Sequence, residues 1–296
     1  MSSIALRISF ILLVNLILTS SALAAINETG DTTLTITSSI PSISTVELND
    51  ISTGDNQIDL NPATVRELNC WGTATDPDGL EDINSVWAVI YGATSSPGAA
   101  DFDDDHYTNN SCDYDNSTGN YNCTFPDVQF YAVNGTWTCL VNVSDFSGNT
   151  NTSNDTASIS ELLAIDIPDA TEIDFGSVAV GTASGEHSVT VENEGNVPMD
   201  IDVDAYRDNN NTADTNGMNC SVGFIPTTNF NTSLTSGSSY IMLLGPSIQT
   251  LDADFAEATG NGQVPTTDIV YLVVEVPSAG VAGDCDGTIF FGASTS

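Results

Sequence analysis

A chain of 296 residues with a formal charge of −37, set by 3 Lys plus Arg against 40 Asp plus Glu, is long enough to close two cores and too acidic to track phosphates. Nucleic acid is thereby excluded as a partner, and anionic membrane surfaces are disfavoured for the same reason. Such a charge keeps copies apart and opposes the compact state by self-repulsion, so the native medium is expected to supply salt or divalent cations.

Thr, Ser, Asn, Gly and Val dominate the composition, which favours β structure. Residues 1–24 read as a secretory signal: Arg7 is a thin positive start, residues 8–18 are mostly apolar, and Ala22, Leu23 and Ala24 offer a cleavage site. A retained anchor is the competing reading, but no later segment could span a bilayer. The mature chain is therefore expected outside the cell or at its surface. Six Cys suit that compartment, and six allow fifteen pairings.

Next in order comes an extended segment, 25–45, in which Leu34 and Ile36 alternate with Thr33, Thr35 and Thr37. It is either the first strand of the domain that follows or an arm that leaves its own subunit. Residues 46–48, 58–60 and 63–75 read as strands, and Asp76, Pro77, Asp78 and Gly79 as a turn before a strand around Trp87. Residues 98–122 form a long polar excursion, and strands follow at 122–125 and 135–145. In the last of these Trp137, Cys139, Val141 and Val143 share one face, while Thr138, Leu140 and Asn142 share the other. Residues 148–154 read as a turn, closing a first domain over 46–160. The second domain, 161–296, opens with a hairpin whose arms, 187–193 and 197–206, flank Glu194, Gly195 and Asn196. In its second arm Met199, Ile201 and Val203 face inward, and Asp200, Asp202 and Asp204 form a solvated stripe. Later strands are expected at 239–244, 268–276 and 287–291.

The order Cys70, Trp87, Cys139 resembles the immunoglobulin fold, in which a core Trp packs on a disulfide joining two sheets. The resemblance implies a Cys70–Cys139 bridge, and Cys112–Cys123 and Cys220–Cys285 are the favoured remaining pairs. Trp137 stands where that family commonly places Tyr, two residues before the second Cys, so the hydroxyl of a tyrosine corner is absent. The block "DFGSVAVGT…VTVENEGNVPMDIDV" resembles a motif of extracellular β-sandwich modules of archaea and bacteria. Taken whole, the chain is similar to secreted archaeal cell-surface proteins with two tandem immunoglobulin-like β-sandwiches, an all-β fold. Its layout is similar to glycosylated archaeal filament subunits that donate an N-terminal strand, which here would carry Leu34 and Ile36.

Chemistry is sparse. His106 and His187 are the two His and fall in different predicted domains; no nucleophile elbow or phosphate loop occurs, so no catalytic residue and no enzyme is expected. Calcium is the one cofactor suggested, through Asp76, Asp78, Glu81 and Asp82 around Gly79. The same residues also make an ordinary turn. Asp101, Asp103, Asp104 and Asp105 form a second acidic cluster, better read as a solvated face. Asn27, Asn109, Asn116, Asn122, Asn134, Asn142, Asn151, Asn154, Asn210, Asn219 and Asn231 each begin an N-x-S/T glycan acceptor. Asn142 is placed on an outward face, Asn134 and Asn151 beside turns. The function expected is a structural or adhesive surface component that self-associates or binds surface proteins or glycans. A calcium-dependent carbohydrate-binding module is the alternative.

Overall fold

The computed structural model describes residues 34–50, 56–169, 172–207, 215–243 and 247–296. The signal segment and the acceptors Asn27 and Asn210 lie outside the described residues. The chain divides into residues 1–38 and 39–296. Residues 34–40 belong to no strand, contrary to the option of a first strand over 33–37.

The first sandwich is built from β1 (Ser42–Asp50), β2 (Gln57–Ile58), β3 (Arg66–Thr75), β4 (Ile83–Gly92), β5 (His106–Asn109), β6 (Asp113–Tyr114), β7 (Asn120–Val128), β8 (Gly135–Asp145) and β9 (Thr150–Ile159). One sheet has the order β1-β3-β7-β6 and the other β2-β9-β8-β4-β5. This is the immunoglobulin arrangement, with the first, second, fifth and fourth main strands on one sheet and the remainder on the other. Inward residues of the two sheets, among them Leu48, Leu68, Phe125, Ile90, Val141 and Val143, close a single core.

Cys70 on β3 is bonded to Cys139 on β8, across the sheets, as the resemblance implies. Cys112–Cys123 secures the neck of the polar excursion, and Cys123 lies directly across from Cys70 in the β3–β7 ladder. The core indole is not the expected one. Ile90 pairs with Cys139 and Trp87 with Asn142, so Trp87 shares the outward parity of β4 and is only partly buried. Trp137, with 0% exposure, fills the space instead. Gly92 lies against the same ring: a Cβ there would meet the indole Cε2 in ordinary contact at 3.5 Å and crowd only Val133 Cγ2, at 3.1 Å. The indole Nε1 donates to the Val133 carbonyl at 2.8 Å, the same backward bond to the chain upstream that a tyrosine corner makes with its hydroxyl.

Two other expectations fail for related reasons. Residues 148–154 are not all turn: β9 runs from Thr150 and pairs along the length of β8. Its first seven residues are Thr, Asn, Ser and Asp, a polar strand with no apolar alternation to announce it. The 187–206 segment is not a hairpin either. Its arms enter different sheets, β11 in β10-β11-β18-β15-β16 and β12 in β14-β13-β19-β12-β17. Alternating arms can satisfy their apolar faces by pairing in one sheet or by facing each other across a core; Val189 and Val191 meet Met199, Ile201 and Val203 in the second way.

The strands of this second sandwich are β10 (Ile165–Asp166), β11 (His187–Asn193), β12 (Met199–Tyr206), β13 (Asn216–Val222), β14 (Phe224–Pro226), β15 (Phe230–Ser233), β16 (Ile241–Met242), β17 (Gln249–Phe255), β18 (Thr266–Val274) and β19 (Ala282–Thr295). Cys220 and Cys285 are bonded partners on the adjacent strands β13 and β19. The Asp stripe of β12 is solvated only in part, with Asp200 and Asp202 partly exposed. Asp204 is buried, and desolvation holds its carboxyl above the usual range. Asp202 accepts from the Thr250 and Ser294 hydroxyls, and Asp200 from the amides of Ala253 and Asp254.

Candidate functional site

In an immunoglobulin sandwich the connection from the second to the third main strand and that between the last two come out at the same end. Here these are residues 76–82 and the tight β8–β9 turn. Asp76 follows β3, Asp82 precedes β4, and Asp145 ends β8. One carboxylate oxygen from each lies within 4.8 Å of one from each of the others. Asp76 is 8% exposed and Asp145 1%, while Asp82 is partly open to solvent.

Local hydrogen bonds fix these carboxylates. Asp76 Oδ1 accepts from the Asp78 amide at 2.8 Å, but its Oδ2 is buried with no hydrogen-bond partner. Asp145 accepts from the Asn149 amide through Oδ1 at 2.8 Å and from Asn149 Nδ2 through Oδ2 at 2.7 Å. The Phe146 amide donates to the Asp82 carbonyl, joining the two connections. Gly79 stands at φ 126°, a conformation that disfavours any side chain, and allows the bend that returns Asp82 toward Asp76.

The expected ligand set is therefore corrected. Asp76 and Asp82 come together, but Asp78 turns outward, its Oδ2 accepting from the Ser39 amide at 2.6 Å, and Glu81 is exposed with its carboxyl group folded over Gly79. Asp145 was missed because it lies 63 residues after Asp82 in the chain; the signal was its place at the end of the strand carrying Cys139. The entry of the N-terminal segment is tied to the same end. Asn149 Nδ2 donates to the Ser39 carbonyl and Asn151 Nδ2 to the Pro41 carbonyl.

The second acidic cluster is a solvated face only in part: Asp101 is exposed, while Asp103, Asp104 and Asp105 are partly buried. Asp103 Oδ2 accepts from the Gly262 amide at 2.7 Å and Asp104 Oδ1 from the Gly260 amide at 2.8 Å, while the Asp103 amide donates to Asn261 Oδ1. Gly260 and Gly262 have φ of 107° and 65°, which present these amides to the carboxylates. Phe130, Tyr131 and Ala258 bury a small apolar contact beside them. On the other flank Asn196 Nδ2 donates to the carbonyls of Ala132 and Ser160. The cluster thus clamps one sandwich to the other, and desolvation raises the Asp104 carboxyl above its ordinary range. Asp101 instead meets the buried His106, Oδ1 to Nδ1 at 3.0 Å.

The glycan acceptors divide by what their amides touch. Asn116, Asn154 and Asn219 are exposed, as are Asn122 and Asn134, whose Nδ2 atoms donate to Thr124 Oγ1 and Glu161 Oε1 at the surface, and Asn142 sits on the outward face of β8 beside Trp87. Asn109 is a poorer candidate because it is partly buried and its Nδ2, the atom a sugar would take, donates to the Thr124 carbonyl. Asn151 is corrected: it lies in β9 opposite the inward Val143, with its amide on Pro41. Asn231 lies in β15, partly buried. Leu34 and Ile36 are each 84% exposed. A cleft of about 500 Å³ opens in the second sandwich between residues 172–180 and β19, lined by Phe175, Val178, Val276 and Val281. Among the described residues no helix is long and apolar enough to cross a membrane.

No family model matches the chain, and no curated protein does. Among solved structures it is similar to a chaperone–tip adhesin complex of CFA/I fimbriae, with 14% identity, 85% of this chain and 84% of that one covered, and a TM-score of 0.31. A chaperone–tip adhesion subunit complex of the Csu pili of Acinetobacter baumannii gives 13% identity, 86% and 99% coverage and a TM-score of 0.35. Tandem immunoglobulin domains of titin give 9%, 86% and 96%, and 0.26. Overlaps of this size assign neither a family nor an activity.

Proposed function

We propose that this chain is a non-enzymatic structural or adhesive component of a cell surface, and that copies join by donation of the N-terminal segment. The observation that carries the reading is the state of Leu34 and Ile36. Two alternate apolar side chains stand 84% exposed in a run that takes part in no strand of its own sheets. A segment of that pattern gains backbone bonds and apolar burial by adding to another sheet. The cleft beside Phe175, whose wall of residues 172–180 is itself outside any strand, is the acceptor this reading favours. Three disulfides suit an extracellular setting, and sugars on the exposed acceptors would belong to the same setting. Acidic copies repel, so assembly should need salt or divalent cations.

The test is electron microscopy and light scattering of the purified chain beside Leu34→Asp, Ile36→Asp. Polymers of the parent that are lost in the variant, with the melting profile retained, support strand donation. Polymers that persist in the variant, or a parent that stays monomeric in high salt and calcium, overturn it.

The carbohydrate-binding alternative draws on Trp71. Its indole is 42% exposed on the outer face of β3, across from Asn122 and flanked by Asn69 and Thr73, a flat ring among amides on which a sugar could stack. A defined glycan-array signal that disappears in Trp71→Ala would move the reading to this class.

A further inference from the structure

We infer that Asp76, Asp82 and Asp145 hold a divalent, oxygen-seeking cation of the calcium type, and that the ion stiffens the point where the N-terminal segment enters the first sandwich. This does not depend on strand donation: the site lies wholly within residues 39–296.

Three carboxylates brought together from separate parts of the chain repel one another, and two of them are nearly sealed from water. The chain is poor in side-chain cations, with 3 Lys plus Arg in all. Asp76 Oδ2 makes the need specific. It is a buried acceptor with no donor, and buried polar atoms are as a rule satisfied. A cation against it supplies the missing partner and cancels the repulsion at once.

The dimensions agree with a calcium-sized ion. Three oxygens no farther apart than 4.8 Å share a centre at most about 2.8 Å from each, a bound that admits the 2.3–2.6 Å of calcium–oxygen bonds. Magnesium, with its strict octahedral demands and reluctance to shed water, suits carboxylates drawn from separate connections less well. Asp145 is already oriented by two bonds from Asn149. Asp82, partly open, gives a route in and leaves room for water ligands. Two other acidic groups, Asp166 with Glu192 and Glu194, and Asp200 with Asp252 and Asp254, are more exposed and contain no orphaned buried atom.

The mechanical consequence follows from what surrounds the trio. The amide of Asp78, two residues after Asp76, bonds to Asp76 Oδ1, and the Asp78 carboxylate accepts from the Ser39 amide. Asn149, which orients Asp145, donates to the Ser39 carbonyl. Ser39 is thus gripped from both connections that the ion would join. Loading the site should slow its opening.

The experiment uses the full-length chain carrying Leu34→Asp, Ile36→Asp, so that polymerisation does not enter the readout. Calorimetric titration of the chelator-treated protein with calcium chloride and magnesium chloride is followed by melting and amide hydrogen exchange, and repeated for Asp76→Asn, Asp82→Asn and Asp252→Asn. One saturable calcium site is expected, tighter than for magnesium. Affinity should fall at least about tenfold in Asp76→Asn and Asp82→Asn and stay unchanged in Asp252→Asn. At about tenfold excess over Kd the parent melting temperature should rise by about 5 °C, with slower exchange at Ser39 and residues 76–82 and 145–149. Chelated Asp76→Asn should melt no lower than the chelated parent, since the lost carboxylate was a buried charge, yet gain nothing specific from calcium. If Asp76→Asn does not fold, Asp82→Asn, at a more open position, carries the same comparison. No saturable heat, or equal calcium response in the parent, Asp76→Asn and Asp82→Asn, overturns the inference and leaves only screening of a highly acidic surface.

Discussion

Replacing Trp137 by Phe separates the core described above from the one an immunoglobulin template implies. The substitution keeps an aromatic ring but removes the Nε1–H that donates to the Val133 carbonyl, a bond worth about 1 kcal/mol net. The lost ring area leaves a residual cavity of about 40 Å³ in a fully buried site, worth about 1 kcal/mol more at the usual cost per unit volume. The orphaned carbonyl adds up to about 1 kcal/mol, so the sum is about 2–3 kcal/mol. Trp87→Phe, on the outward face of β4, should stay within about 0.5 kcal/mol. Urea unfolding followed by tryptophan fluorescence is the assay, because Trp71, Trp87 and Trp137 all lie in the first sandwich and the second is silent. With an m-value of about 2–3 kcal/mol/M the midpoint of Trp137→Phe should fall by about 1 M at unchanged m. A larger loss in Trp87→Phe than in Trp137→Phe would refute the assignment of the core indole and the strand parity behind it.

Converting Cys70 and Cys139 together to Ala should lower the stability of the first sandwich by about 4 kcal/mol, the chain-entropy cost of freeing a loop of about 70 residues, while the second sandwich keeps its own transition in a calorimetric scan. A single unshifted transition would contradict it. The Asp115 carboxyl, held by the hydroxyl and then the amide of Ser117 and by the Thr118 hydroxyl, is lowered to about 2. Because the folded value is depressed, the order it gives the 115–118 turn is present above the unfolded range near pH 4 and is lost as pH falls toward 2. An NMR titration of the carboxyl should show that low midpoint, and Ser117→Ala should move it upward; an ordinary midpoint in the parent would disprove the turn geometry.

Much of the molecule is written in local pattern. Strand β8 is legible because a period of two assigns Trp137, Cys139, Val141 and Val143 to one face whatever the partner strand, and the charge excludes phosphate-binding roles without any fold at all. The Cys70–Cys139 pair was legible only through the resemblance of Cys70, Trp87 and Cys139 to the immunoglobulin order, which the bond across the sheets bears out. Period two does not, however, say which sheet a strand joins or what lies opposite it. That is why β9, with no apolar alternation, passed for a turn, and why β11 and β12 passed for a hairpin when they face each other across a core. The parity of β4, fixed only by its register against β8, moved the buried indole from Trp87 to Trp137. Acidic residues carry even less of their own meaning. Whether a carboxylate is solvated, clamped or poised for a cation depends on what approaches it from elsewhere in the chain. Asp103 and Asp104 meet amides more than 150 residues away, and Asp76 meets Asp145 at the end of another strand. Composition and alternation therefore determined the class of fold and the inward faces; long-range proximity alone decided the core tryptophan, the clamp and the three-carboxylate site.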